Sequence, residues 1–153
     1  MGRILSLILV SLACLCCGAC GGGGSSATGP VYFLVAGEGH GDSYVLPVSD
    51  PAHIARAREI VADRASPGPK IVVAAIARGG SDGEYVNRDL IGGRAWSWHV
   101  TRCEGFADNT IEILDGWPGY VEDHVEEWMA TTGGRIGFWS YTVVREVRVD
   151  EMR

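Results

Sequence analysis

The chain begins with an apolar run and takes up regular alternation only after a glycine-rich break. Residues 4–17 hold two polar positions, Ser6 and Ser11, behind the single basic residue Arg3. Roughly a dozen apolar residues after one cation have the form of a secretory signal. The run is shorter than the ~20 residues that span a bilayer. Beyond residue 30 the periods change. Residues 31–36 and 43–48 are apolar runs of strand length, and Gly37-Glu38-Gly39-His40-Gly41-Asp42 between them predicts a hairpin loop. Ser49-Asp50-Pro51 is a helix start, a polar cap followed by proline where a missing N–H costs nothing. Ile54, Ala57 and Val61 recur at helical spacing with Arg56, Arg58 and Glu59 on the wet side, and Pro67-Gly68-Pro69 ends the helix.

Residues 70–77 are β-branched enough for a central strand. Residues 78–93, rich in Gly, Asp and Ser, predict a long exposed loop. In 96–101, Trp96, Trp98 and Val100 share one face of a strand. Residues 111–114 predict a further short strand and Gly116-Trp117-Pro118-Gly119 a turn. Pro118 then opens a second helix reaching about Met129, with Val121, Val125, Trp128 and Met129 inward and Glu122, Asp123, Glu126 and Glu127 in water. Residues 140–149 form the last strand. The pattern predicts a single α+β domain, a mainly antiparallel sheet with two helices packed against it.

Cysteine usage separates the leader from this domain. Four of the five cysteines, Cys14, Cys16, Cys17 and Cys20, precede residue 21. Gly18-Ala19-Cys20 places small residues directly before a cysteine, which resembles the box where lipoprotein signal peptidase cuts and the cysteine is acylated. Cys17 stands where that box usually has Leu. Cys14, after Leu12-Ala13, is a second candidate, and plain secretion with cleavage nearby is an alternative. The organisation adopted is a lipoprotein signal peptide over 1–19, an acylated Cys20 with a Gly/Ser tether over 20–30, and the domain over 31–149. It predicts attachment to a membrane through lipid on Cys20, in the cell envelope and outside the cytoplasm. Only Cys103 is left in the domain, so no internal disulfide is available there. About 120 residues can hold a core without one. The net charge is −6, becoming −7 when Arg3 leaves with the leader, and Lys70 is the only lysine. Such a balance repels nucleic acid and excludes it as a partner.

An ordered set of short motifs runs along the domain. Phe33, Tyr44-Val45-Leu46, Ser49-Asp50-Pro51, Ile54 and Ala57-Arg58-Glu59-Ile60 open it. Asn87, Trp96-Ser97-Trp98-His99-Val100, Ile111-Glu112, Asp115 and Tyr120-Val121-Glu122-Asp123-His124 follow. Trp139-Ser140 and Val144-Arg145-Glu146-Val147 close it. Together they resemble the N-terminal domain of the slime-mould calmodulin-binding protein family, which also turns up in bacterial exported proteins. The resemblance implies a fold and a secreted context, with no established reaction. Calmodulin is not expected as a partner, because its targets are basic amphipathic helices and neither predicted helix is basic. The resemblance also implies a lost disulfide, since relatives carry cysteines where this chain has Leu114 and Gly137.

Several residue sets carry candidate chemistry. Gly37, Gly39 and Gly41 follow a strand as in phosphate-binding loops, yet a second strand follows them instead of the required helix. Glu38, His40 and Asp42 could face one way and gather a metal, but the loop would hold them loosely and no second ligand pair is evident. Neither a metal nor any other cofactor is expected. Ser97, His99 and Asp115 supply the residue types of a hydrolase triad. On one strand face, however, Ser97 and His99 stand ~6–7 Å apart, and no nucleophile elbow is present. His99 reads more simply as a structural polar residue beside the tryptophans, and His124 as a boundary residue. Trp96, Trp98 and Trp128 follow inward periodicities, whereas Trp117 in its Gly/Pro turn has the best claim to a binding role. The acidic run from Glu122 to Glu127 is a solvated face, or else a site for a cationic partner. Arg145 falls among Tyr141, Val143, Val147 and Val149 and so needs a carboxylate, Glu112 or Asp115, or a bend that turns it outward.

The reading reached is a membrane-tethered exported binding or structural domain without catalytic residues. Its ligand is an unknown envelope protein or molecule, and its candidate binding residues are Trp117, His99, Asp115 and Arg145. One alternative is a small hydrolase using His99 and Asp115. Another is a protease-inhibitor-like module presenting the 78–93 loop.

Overall fold

A computed structural model describes residues 29–80, 87–109 and 115–152. Two three-stranded antiparallel sheets carry the domain. The first has the order β2-β1-β6, from β1 (Val31–Gly37), β2 (Ser43–Val48) and β6 (Tyr141–Val147). The second has the order β4-β3-β5, from β3 (Ile71–Arg78), β4 (Trp98–Ala107) and β5 (Arg135–Ile136). Helix α1 (Pro51–Ala62) follows β2, α2 (Pro118–Asp123) and α3 (Val125–Thr132) precede β5, and a 3-10 turn (Val149–Met152) follows β6. This is a small α+β domain.

Period-two alternation explains why the sheets share one core. Phe33, Val35, Leu46 and Val143 from the first sheet meet Val72, Ala74, Ile76 and Trp98 from the second. Helix α1 adds Ala57 and Ile60, while α2 and α3 add Val121 and Trp128. Asp50 caps α1 by accepting from the Ala52 and His53 N–H groups at 2.8 and 3.0 Å. Arg56 reaches back from α1 to the Pro67 and Pro69 carbonyls at 3.0 and 2.9 Å and fastens the proline loop. The outer face of the first sheet buries Leu34, Val45 and Val147 beneath Met152.

Four features depart from the sequence-based expectations. First, β6 carries a bulge: Leu34 pairs with Arg145 but Val35 with Val143. The extra residue carries Arg145 and Val147 to the outer face, as a one-residue slip does. Arg145 therefore pairs with Glu151 at 2.8 Å. Its expected partners are not used: Asp115 is exposed elsewhere, and Glu112 lies outside the described residues. Second, the expected single second helix is interrupted at His124, whose φ of −134° and ψ of 32° are not helical. Third, part of the supposedly exposed 78–93 loop is buried. Asn87 is 0% exposed and Asp89 4%, because their side chains satisfy the open edge of β2. Asn87 accepts from the Val45 N–H at 3.1 Å and donates to the Trp98 carbonyl at 2.7 Å, while Ser43 donates to Asp89 at 2.7 Å. Fourth, Trp96 precedes its strand, and its indole N–H donates to the Ser43 carbonyl at 2.9 Å. Cys20, the expected strand over 111–114 and Leu114, with its proposed link to Gly137, lie outside the described residues.

Candidate functional site

The β1–β2 loop and the start of α2 meet in a ladder of stacked rings. Pro118 at the first helical position sets α2 in the sequence immediately after Trp117. His40, at the tip of the loop, lies parallel to the Trp117 indole, with centroids 4.4 Å apart and planes 6° apart. Trp117 is 5.4 Å from Tyr120, and Tyr120 stacks on His124 at 4.2 Å, the i,i+4 neighbour along the break between α2 and α3. Inward, Tyr120 meets Trp128 edge-on at 6.1 Å and Trp128 meets Phe138 at 6.0 Å. The two histidines are exposed and Trp117 and Tyr120 half-buried, so the stack runs from solvent into the core.

Asp42 fixes this arrangement. One carboxylate oxygen accepts from the Gly119 N–H at 2.9 Å, and the other accepts from the Tyr141 hydroxyl. One side chain thus ties the loop both to the N-terminus of α2 and to β6. Burial first, and then the bond to Asp42, push the Tyr141 phenol well above its ordinary range. At the other end, the His124 Nδ1 bonds to the Tyr120 carbonyl at 3.0 Å and holds that imidazole in place.

Of the residues singled out by sequence, Trp117 stands in the ladder and the exposed Asp115 lies two residues before it. His99 and Arg145 are not brought to it. His99 is buried on β4 with Nδ1 bonded to the Gly79 carbonyl at 2.7 Å. In a triad that nitrogen faces the acid. The Ser97 hydroxyl donates instead to Glu122 at 3.0 Å. Asp42 is turned inward to its two donors while His40 lies against Trp117, so the metal-gathering arrangement of this loop is not adopted. Much of the acidic helix face is matched by arginine: Asp123 pairs with Arg94 at 3.0 Å and Glu126 with Arg78 through two N–H groups. Sequence reasoning missed His40, Tyr120 and His124 as members of one site. A Tyr120–His124 pair at i,i+4 was the available signal; the loop's return onto Trp117 had none.

A second concavity, about 270 Å³, is lined by His53, Arg56, Pro69, Glu104, Gly105 and Phe106. Its charged groups are already engaged. Arg56 is bound to the proline loop and to Glu59, and Glu104 holds Arg102 and Arg135 at 2.6 and 2.7 Å. The hydrogen bond from Arg102, and then that from Arg135, keep the Glu104 carboxyl below its usual range despite some burial. Burial pushes the nearby Cys103 thiol up, away from the nucleophilic thiolate. The ladder is the better site because its ring edges and outer faces remain open to solvent.

Residues 29–150 match the family model of the calmodulin-binding protein N-terminal domain. The chain belongs to that family. No curated protein and no solved structure matches the chain. In this calmodulin-binding-protein-like domain the motifs at Tyr44, Trp96-Ser97-Trp98 and Tyr141 build the shared core. The ladder is added at one end of that framework.

Proposed function

We propose that the chain is an exported, lipid-tethered binding domain without catalytic activity, held on the envelope through Cys20 and meeting its partner with the aromatic ladder. The observation that supports it is the stack of His40, Trp117, Tyr120 and His124 at the surface, continued inward to Trp128. Amphipathic rings concentrate binding energy at recognition sites, and a rigidly backed ring loses little entropy on contact. The signal-like leader, the small residues before Cys20 and the Gly/Ser tether support the anchorage.

Two fractionations test this reading. The full chain should sediment with membranes and Cys20→Ala should move to the soluble fraction; a mutant that stays on the membrane places the anchor elsewhere. The soluble Cys20→Ala chain should in turn bind isolated envelopes. Adding Trp117→Ala should remove that binding, whereas adding Trp139→Ala, at a tryptophan 48% exposed outside the ladder, should not. Equal loss from both changes contradicts the assignment of the face.

A further inference from the structure

Resting on the proposed binding role of the ladder, we infer that the Trp117 ring face now covered by His40 is a site for a flat aromatic ring bearing positive charge. His40 is its displaceable cover.

Geometry sets the shape of the occupant. The imidazole of His40 lies 6° from parallel and 4.4 Å from the indole, so what the face accepts in this structure is itself a flat heterocycle. His40 is bracketed by Gly39 and Gly41, at φ of 114° and 72°, in the left-handed region that only glycine enters without strain. No atom lies within 4 Å of where a Cβ at either glycine would sit, so the loop tip is not packed against the body. Asp42 anchors the adjoining residue to Gly119 and Tyr141, which confines the freedom to the Gly39–Gly41 tip. His124, by contrast, is held by its bond to the Tyr120 carbonyl. Of the two exposed ring covers, only His40 can leave without breaking a hydrogen bond among those of the described residues.

Charge sets the chemistry. No Lys or Arg occurs in residues 31–55 or 103–134, the two segments that supply the ladder. Glu38 and Asp42 flank His40 two residues to either side, and Asp115 precedes Trp117 by two. An anionic ring meets like charge there, whereas a cationic one gains from these carboxylates and from the π-face of the indole. A ligand must also outcompete the imidazole, so the intact chain binds more weakly than one without it.

The test is calorimetric titration of the full Cys20→Ala chain with three indoles of one shape and different charge: tryptamine, indole-3-acetamide and indole-3-acetate. Tryptamine should bind most tightly and the acetate most weakly, by about tenfold between the extremes. His40→Ala should tighten tryptamine binding by about fivefold through loss of the competing ring. Trp117→Ala should abolish it, and Trp139→Ala should leave it unchanged. Indoles that bind equally overturn the charge preference. Weaker binding in His40→Ala overturns the cover, because the imidazole would then be part of the grip. No binding of any indole, alongside envelope binding that still needs Trp117, overturns this ligand class and leaves the recognition face standing.

Discussion

Asp42 is the residue on which the ladder most depends, and its position in a glycine-rich loop hid that role. As a loop acid between strands it invited a metal-binding reading. In the folded chain it accepts from the Gly119 N–H and the Tyr141 hydroxyl, and so stitches the β1–β2 loop, α2 and β6 together. Replacing it with alanine leaves both donors without their acceptor, at a cost of about 1–3 kcal/mol for each such group that stays buried. Asp42→Ala should therefore lower the urea midpoint and weaken envelope binding together. Unchanged stability would mean that water replaces the carboxylate at no cost. Arg145 teaches the complementary lesson. Strict alternation put it on an apolar face, but a single bulged residue turned it outward to Glu151, and no local signal in the sequence marks such an insertion.

At the scale of elements, strands and α1 were legible because their periods are local. Ser43–Val48 begins and ends where the apolar run does, and Pro51 starts α1 as the cap motif requires. The second helix was legible in its ends but not in its interruption at His124, which depends on how Tyr120 and Trp128 pack. The edge of β2 was hidden for a related reason. Asn87 and Asp89 look like ordinary loop polar residues, yet they serve as substitutes for a neighbouring strand. Asn87→Ala leaves the Val45 N–H and the Trp98 carbonyl without this buried partner and should cost about 2–4 kcal/mol. Urea denaturation of the variant measures it, and a change below about 0.5 kcal/mol would show that the edge is satisfied in another way.

For the whole molecule, fold class and family could be read from the order of motifs, while the site could not, because its members come from segments far apart in sequence, as His40 and Trp117 are. Charge governs stability at both ends of the pH range. The side-chain bond from Arg78 lowers the Glu126 carboxyl, and the Arg148 backbone N–H followed by Arg145 lowers that of Glu151, as Arg102 and Arg135 lower Glu104. A depressed folded pKa contributes stability that is complete above the unfolded value and lost as pH falls through the folded one. The melting temperature should decline below about pH 4, gently because these pairs are on the surface. The raised phenols of Tyr44 and Tyr141 act in the opposite sense, stabilising below about pH 10 and failing above it. A profile flat across both limits would contradict these assignments.

The central claim, that recognition occurs at the ladder, is tested most directly by the indole N–H resonances of the five tryptophans. The soluble Cys20→Ala chain, labelled with ¹⁵N and assigned by single Trp→Phe changes, would be titrated with solubilised envelope extract. The account predicts that the Trp117 resonance moves or broadens first, while those of the core residues Trp96 and Trp98 stay in place. A response confined to Trp139, with Trp117 unmoved at saturation, would contradict it.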